Sequence, residues 1–185
     1  PTFAEYIDFA VNDSTGEEFT LLVDSISTNL TSFFREKKHF EHLSNIFLPH
    51  SIELKRSSND HTIRGWSAGC SSGEEPYSIA ITLLEALSCE TRMNAKVLAT
   101  DISTRVLAKA KAGVYEEQRI APLTPQQKNK YLTKEKSGRQ TVYRVNKNLK
   151  DVIYFGHLNL MQEWPIRVPL DFIFCRNVMI YFDKP

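Results

Sequence analysis

Apolar residues recur along this chain with two different periods. From Thr31 onward, Phe33, Phe40, Leu43 and Phe47 fall on one helical face with Lys37, Lys38, Glu41 and Ser44 between them, which predicts a helix that Pro49 ends. A polar loop over 55–62 follows, and the run from Ile63 to Ala68 reads as a strand. Beyond a hinge of small residues, Gly69-Cys70-Ser71-Ser72-Gly73, the clearest helical stripe in the chain is carried by Ile79, Ala80, Leu83, Leu84 and Leu87. Ser72 and Glu75 have capping-box spacing at its start, and Pro76 is tolerated in a first turn, where backbone N–H groups lack helical acceptors. Residues 96–101 predict a second strand, 103–113 a helix closed by Gly113, and 124–132 a helix with Thr124 as cap, Pro125 first and Gln127 completing the box. Near the amino terminus, 2–10 and 17–27 predict two short amphipathic helices around a turn at 12–16, with too few apolar residues for a core of their own.

The pattern changes after 137. Residues 140–146 and 152–156 read as two short strands joined by a turn near Lys147 and Lys150, predicting a small antiparallel insertion over about 137–156. Residues 170–177 then restore the signature of a buried strand. Strands alternating with helices predict an α/β fold, a parallel sheet covered on both faces with ligands at the carboxyl ends of its strands. The hinge at 69–73 lies at such an end.

Composition narrows the classes without choosing among them. The 185 residues carry 23 Lys+Arg against 22 Asp+Glu and are 42% hydrophobic, as one globular domain with a fragment of a second would be. No apolar run is long enough for a membrane span and the start lacks the order of a secretory signal, so a cytoplasmic protein is expected. Cys70, Cys89 and Cys175 have no metal-type spacing and read as reduced thiols. Charge is uneven: 128–150 holds Lys128, Lys130, Lys134, Lys136, Arg139, Arg144, Lys147 and Lys150 against Glu135, which is either a solvated face or a patch for an acidic partner. His39 and His42 lie three apart on the predicted helix without an apparent third ligand, so no metal site is expected.

The hinge invites comparison with phosphate-binding loops, and its residues object. Neither G-x-G-x-x-G nor G-x-x-x-x-G-K-[ST] is present. Glu74 and Glu75 place negative charge where a pyrophosphate would approach, a repulsion of about 1 kcal/mol in water at ~4 Å and more in a cleft. A ligand with a cationic group and ribose hydroxyls, such as S-adenosylmethionine, fits better, with Asp101 at the end of the second strand placed to accept from the hydroxyls. Helix capping and dipole compensation are the competing account of the two glutamates.

TNLTSFFRE (28–36), SAGCSSGEEPYSIA (67–80), LATDIS (98–103), NL (159–160) and FIFCRNVMIYFDK together resemble, in matching order, the CheR family of S-adenosylmethionine-dependent methyltransferases that esterify receptor glutamates in bacterial chemotaxis. The resemblance implies a Rossmann-like methyltransferase sheet over 28–185 with a small β-subdomain, residues 1–27 being the remnant of an amino-terminal helical domain. It implies cofactor contacts at Asn29, Thr31, Arg35, Glu75, Asp101, Asn159, Leu160, Arg176 and Asn177, and it assigns Arg35 and Tyr181 to positioning the methyl acceptor. Structural alternatives are a surface ion pair for Arg35, a turn for Asn159 and a core aromatic for Tyr181. The implied partner is the cytoplasmic domain of chemotaxis receptors, with no nucleic acid. Methylation of RNA through the basic segment and a non-catalytic docking module are the competing functions. Relative to the family, the chain opens within the helical domain and stops before the last strands, so a shortened chain is expected.

Overall fold

The computed structural model describes residues 2–26, 30–138 and 140–179. Two helices, α1 (Phe3–Asn12) and α2 (Glu17–Ile26), come first. Then α3 (Lys37–His42), a π-helical segment (Leu43–Phe47) and α4 (Leu48–Arg56) form one continuous run. The core alternates: β1 (Thr62–Ala68), α5 (Glu74–Ala86), β2 (Asn94–Asp101), α6 (Thr104–Ala112). After β3 (Val114–Glu116), α7 (Pro125–Tyr131), β4 (Leu132–Ser137), β5 (Gln140–Val145) and α8 (Lys147–Lys150), the chain returns through β6 (Ile153–His157) and β7 (Phe172–Phe174).

Strands β6, β2, β1 and β7, in that order, make a parallel sheet, and β3, β5 and β4 make a separate antiparallel one. Helix α5 is the centre of the core: Tyr77, Ile79, Ala80, Ile81 and Leu83 have no exposed surface, so it is buried all round rather than along the single stripe its sequence suggests. Ser103 caps α6 by accepting from the Val106 N–H, and Gly113 closes it in a left-handed conformation. The box at Thr124 and Gln127 forms as expected.

Three sequence expectations need correction. Residues 30–36 are not helical: Phe34 and Glu36 have φ of +52° and +55°, which a helix excludes, and α3 starts only at Lys37. Pro49 does not end that helix either. It sits at the start of α4, just past the π segment, whose wide turn sends the Leu48 N–H back to the Leu43 carbonyl. Finally, 152–156 does not pair with 140–146. Strand β6 joins the parallel sheet beside β2, with Val97 opposite Ile153, while β5 pairs with β4 and with the three-residue β3. The short α8 between β5 and β6 is the crossover that a tight hairpin reading overlooks.

Candidate functional site

The hinge is built to satisfy its own backbone. The Gly69 and Cys70 N–H groups both donate to the Thr100 carbonyl at 2.8 Å, Ser71 N–H donates to Asp101 Oδ2 at 2.7 Å, and Gly73 N–H donates to the Cys70 carbonyl at 3.1 Å. A phosphate-cradling nest needs such amides free, so this turn lacks the donors for one. Gly69 has φ of +79°, and a side chain there would collide with Val178, which seals the turn from the far edge of the sheet. Cys70 is fully buried; burial and the Asp101 and Glu75 carboxylates push its thiol well up, leaving it a protonated core residue.

Helix α5 begins with Gly73, φ +98°, as its cap, and the Ser72–Glu75 box does not form. Instead the Ser72 hydroxyl donates to Glu74 Oε2 at 2.7 Å. The two glutamates then part company, because adjacent helical residues point about 100° apart. Glu74 has no exposed surface, lies 3.3 Å from Arg119 Nη1, and is not part of the cavity wall. Glu75 does face the cavity, accepts from the Ser67 hydroxyl at 2.7 Å and stands 3.3 Å from Arg176 Nη1. The picture of two carboxylates facing one ligand is therefore corrected to one. Burial pushes the Glu75 carboxyl up to about 7, against the pull of Ser67 and Arg176.

The cavity beside the hinge has a volume of about 340 Å³, within the range of small-molecule sites. Asp101 enters its wall from the end of β2. Its Oδ1 accepts from Ser103 N–H at 2.9 Å and its Oδ2 from Ser71 at 2.7 Å, and the Ile102 N–H also bears on the carboxylate, which leaves about one of four lone-pair sites for a ligand hydroxyl. Burial raises its carboxyl above the ordinary aspartate value. Asn159 and Leu160 come from the loop after β6. Asn159 Oδ1 accepts from Met161 N–H at 2.9 Å, so the residue does form a turn, with its amide N–H₂ still available. The Leu160 carbonyl accepts from Trp164, whose ring packs edge-on against buried Trp66.

Thr31 and Arg35 enter from the loop before α3, and Arg176 and Asn177 from the loop after β7. Arg35 donates to the Leu30 carbonyl at 2.7 Å; the surface ion pair that competed for it is not what holds it. Arg176 is held hard: Nη2 donates to the Arg35 carbonyl at 2.6 Å, and its guanidinium lies against the rings of Phe40 and Phe174 at 5.5 and 5.6 Å. It thus ties the entrance loop, β7 and Glu75 together. Among the described residues, the four non-glycine positions with positive φ are Phe34, Glu36, Ser71 and Asn177. Two flank Arg35 and two line the cavity, which concentrates backbone strain at this one place. Asn29 and Tyr181 lie outside the described residues.

Several contributors carry no signal in the sequence. Tyr115 and Arg119 reach the walls of the site from a segment that belongs to no motif, and Ser67 and Val178 lie within the blocks that carry the resemblance without being singled out there. Asp24 is similar: the carbonyl of this α2 residue accepts from Arg105 at 2.6 Å, fixing the helical hairpin to α6 beside the cavity. His39, by contrast, has a plain partner in Glu36, 3.2 Å away.

A parallel sheet with an acidic residue closing its second strand, a sealed glycine hinge and a cavity bordered by Glu75 and Asp101 defines a Rossmann-like S-adenosylmethionine-dependent methyltransferase fold. Residues 29–185 match the family model described as CheR methyltransferase, SAM binding domain, and the chain belongs to that family, whose cofactor is S-adenosylmethionine. It is 48% identical over 98% of its length to a chemotaxis protein methyltransferase of Borreliella burgdorferi, and spans 64% of that protein. It is 37% identical to a probable chemotaxis protein methyltransferase of Rhizobium etli over 99% of its length, covering 68% of that protein. It is 38% identical to the chemotaxis protein methyltransferase of Escherichia coli over 98% of its length, covering 60% of it. The chain therefore spans 60–68% of the length of these three relatives. Among the described residues no helix is long and apolar enough to cross a membrane.

Proposed function

We propose that this protein transfers a methyl group from S-adenosylmethionine to glutamate side chains of chemotaxis receptors, forming methyl esters in chemotactic adaptation. The observation that carries the reading is a cavity that presents Glu75 and Asp101 inside and Arg35 on its wall, with no histidine or lysine among its described lining residues. The acceptor glutamate, with a reference pKa near 4.3, is already an anionic nucleophile, so its methylation requires no general base. When bound, the cofactor supplies an electrophilic methyl group on a sulfonium. Asp101 would accept from the ribose through its remaining acceptor site, Glu75 would take the α-ammonium, and Leu158, Leu160 and Ile26 would give the purine an apolar wall. Thr31, Asn159, Asn177, Arg176 and, before them, Asn29 complete the cofactor contacts.

Arg35, with Tyr181, orients the acceptor carboxylate for in-line attack, a placement that is able to supply up to ~7–11 kcal/mol. Charge cancels between carboxylate and sulfonium in the transition state, so exclusion of water by the apolar wall favours the reaction. The partner is the cytoplasmic domain of the receptors, met in the cytoplasm. Part of the basic segment is already engaged within the chain: Arg144 pairs with Glu135, Lys147 with Asp151, and Lys150 donates to the Lys111 and Ala112 carbonyls. This favours the receptor over RNA as acceptor. The test is transfer of radiolabelled methyl groups to receptor-containing membranes and to RNA. Base-labile label on receptor is expected; label on RNA alone, or cofactor binding with no transfer to receptor, overturns the reading.

A further inference from the structure

The cavity has two walls that do not touch in sequence, the entrance loop 30–36 and the hinge 69–75. Both rest on the first strand of the small antiparallel sheet. Tyr115, in β3, packs its ring edge-on against Phe33 of the entrance loop at 5.0 Å, and its hydroxyl donates to the Ser72 carbonyl of the hinge at 2.7 Å. Arg119, on the turn after β3, uses one nitrogen for both walls: Nη1 donates to the Thr31 carbonyl at 3.0 Å and stands 3.3 Å from Glu74 Oε1. Each residue thus touches each wall. Gly73 is fitted to the arrangement, since a side chain there would come within 2.9 Å of the Tyr115 hydroxyl.

From this double bridge we infer that Tyr115 and Arg119 are positioning residues of the cofactor cavity, which transmit the placement of the small sheet to both cavity walls. The inference rests on the cofactor reading of that cavity. Neither residue lines it, so neither acts by touching the ligand. Thr31 is a lining residue, and its carbonyl is set by Arg119 from outside, while Arg35 and Arg176 fix the same loop at Leu30 and Arg35 from within. Arg119 is half-exposed, whereas Glu74 beside it is wholly buried. A contact with this geometry makes two equilibria reciprocal: holding the small sheet favours the ligand-ready walls, and the ligand in turn holds the small sheet.

The experiment is calorimetric titration of the full-length protein with S-adenosylhomocysteine, the parent first, because a parent that does not bind refutes the cofactor reading itself. Given binding, Arg119→Gln is expected to raise Kd roughly tenfold and, because it orphans the buried Glu74 carboxylate, to lower the ligand-free unfolding midpoint by a few degrees, a fall that Glu74→Gln in the same chain reverses without restoring affinity. Glu74→Gln is expected to bind as the parent does, and Glu74→Gln with Arg119→Gln as weakly as Arg119→Gln alone. Unchanged affinity in Arg119→Gln overturns the inference, as does recovery of affinity in the double variant, which would assign the loss to an orphaned buried carboxylate. In the parent, saturating S-adenosylhomocysteine is expected to slow amide exchange at 114–119 as well as at 30–36. Slowing confined to 30–36 also overturns it.

Discussion

The two sheets of this protein solve the same hydrogen-bonding problem in different surroundings. In the parallel sheet, several polar groups near the strand ends are buried against a designated partner: Trp66 Nε1 donates to the Thr100 hydroxyl, Ser67 to Glu75, and Ser71 to Asp101. In the small sheet, β4 and β5 carry mostly exposed or half-exposed side chains, and their charges meet across the strands, as Arg144 and Glu135 do at 2.8 Å. Burial makes a lost partner costly, whereas solvent replaces it at the surface. The difference teaches where chemistry can be placed: burial pushes the Glu75 carboxyl up and makes its partners indispensable, whereas the exposed Glu135 carboxyl is only drawn down by its Arg144 neighbour.

The strongest challenge to that contrast is Asp101→Ala. It removes the proposed ribose acceptor and the carboxylate that accepts from the Ser71 and Ser103 N–H groups, at about 1–3 kcal/mol per lost acceptor. Binding of S-adenosylhomocysteine measured by calorimetry should weaken at least ~100-fold; a variant that binds as the parent does refutes the assignment. Next comes Glu75→Gln, read against pH. The parent's Glu75 carboxyl, raised from 4.5 to about 7, favours the protonated folded state. Its contribution to the stability of the ligand-free protein is therefore present below about 4.5 and lost as pH rises through about 7. Affinity for the cationic cofactor should move the other way, rising between pH 6 and pH 8 by roughly tenfold, with proton release on binding near neutral pH. Glu75→Gln should bind about tenfold more weakly at pH 8 and lose that pH dependence.

Gly69→Ala is expected to lower the unfolding midpoint by several degrees, roughly 1–3 kcal/mol, because it combines a left-handed backbone with the Val178 collision. Differential scanning calorimetry measures it, and an unchanged midpoint would show that the hinge relaxes freely. Smallest of all, Glu135→Gln in the small sheet should change neither the unfolding midpoint nor S-adenosylhomocysteine affinity measurably. A clear loss there would erase the distinction between the sheets.

The same contrast explains what the sequence made legible. The parallel sheet is legible because its strands alternate with helical patterns and because Gly69 and Asp101 stand at the ends of β1 and β2; its edge strands are less buried than their apolar sequences suggest, with Ile173 of β7 and Tyr154 of β6 about half exposed. Within the described residues, the structure brings the positions that five separate blocks nominated to one cavity, Thr31 from one side and Arg176 from the other. What stayed hidden depended on rotation and on partners far away. That Glu74 and Glu75 point apart follows from helix geometry, a signal present in the sequence and outweighed by their adjacency. The two partners of β5 were hidden for different reasons: β4 is the charged run LTKEKS, with little apolar alternation, and β3 is three residues long, so a turn toward 152–156 is the cheaper local reading. Arg119 belongs to no motif and acts on a carbonyl 88 residues away, which no local rule anticipates.

The π segment at Leu43–Phe47 has a consequence of its own. A π turn inserts an extra residue into a helix, so whatever precedes it is rotated relative to whatever follows. Leu48 and Ile52 keep their place in the hydrophobic core after the insertion, while Phe40 before it is turned to Phe174 and to the guanidinium of Arg176. One helical run thereby answers to two phases, the upper half tuned to the ligand and the lower half to the fold. Excising a single residue from 43–47 would straighten the run into an ordinary helix, and the floor beneath Arg176 would turn away with it.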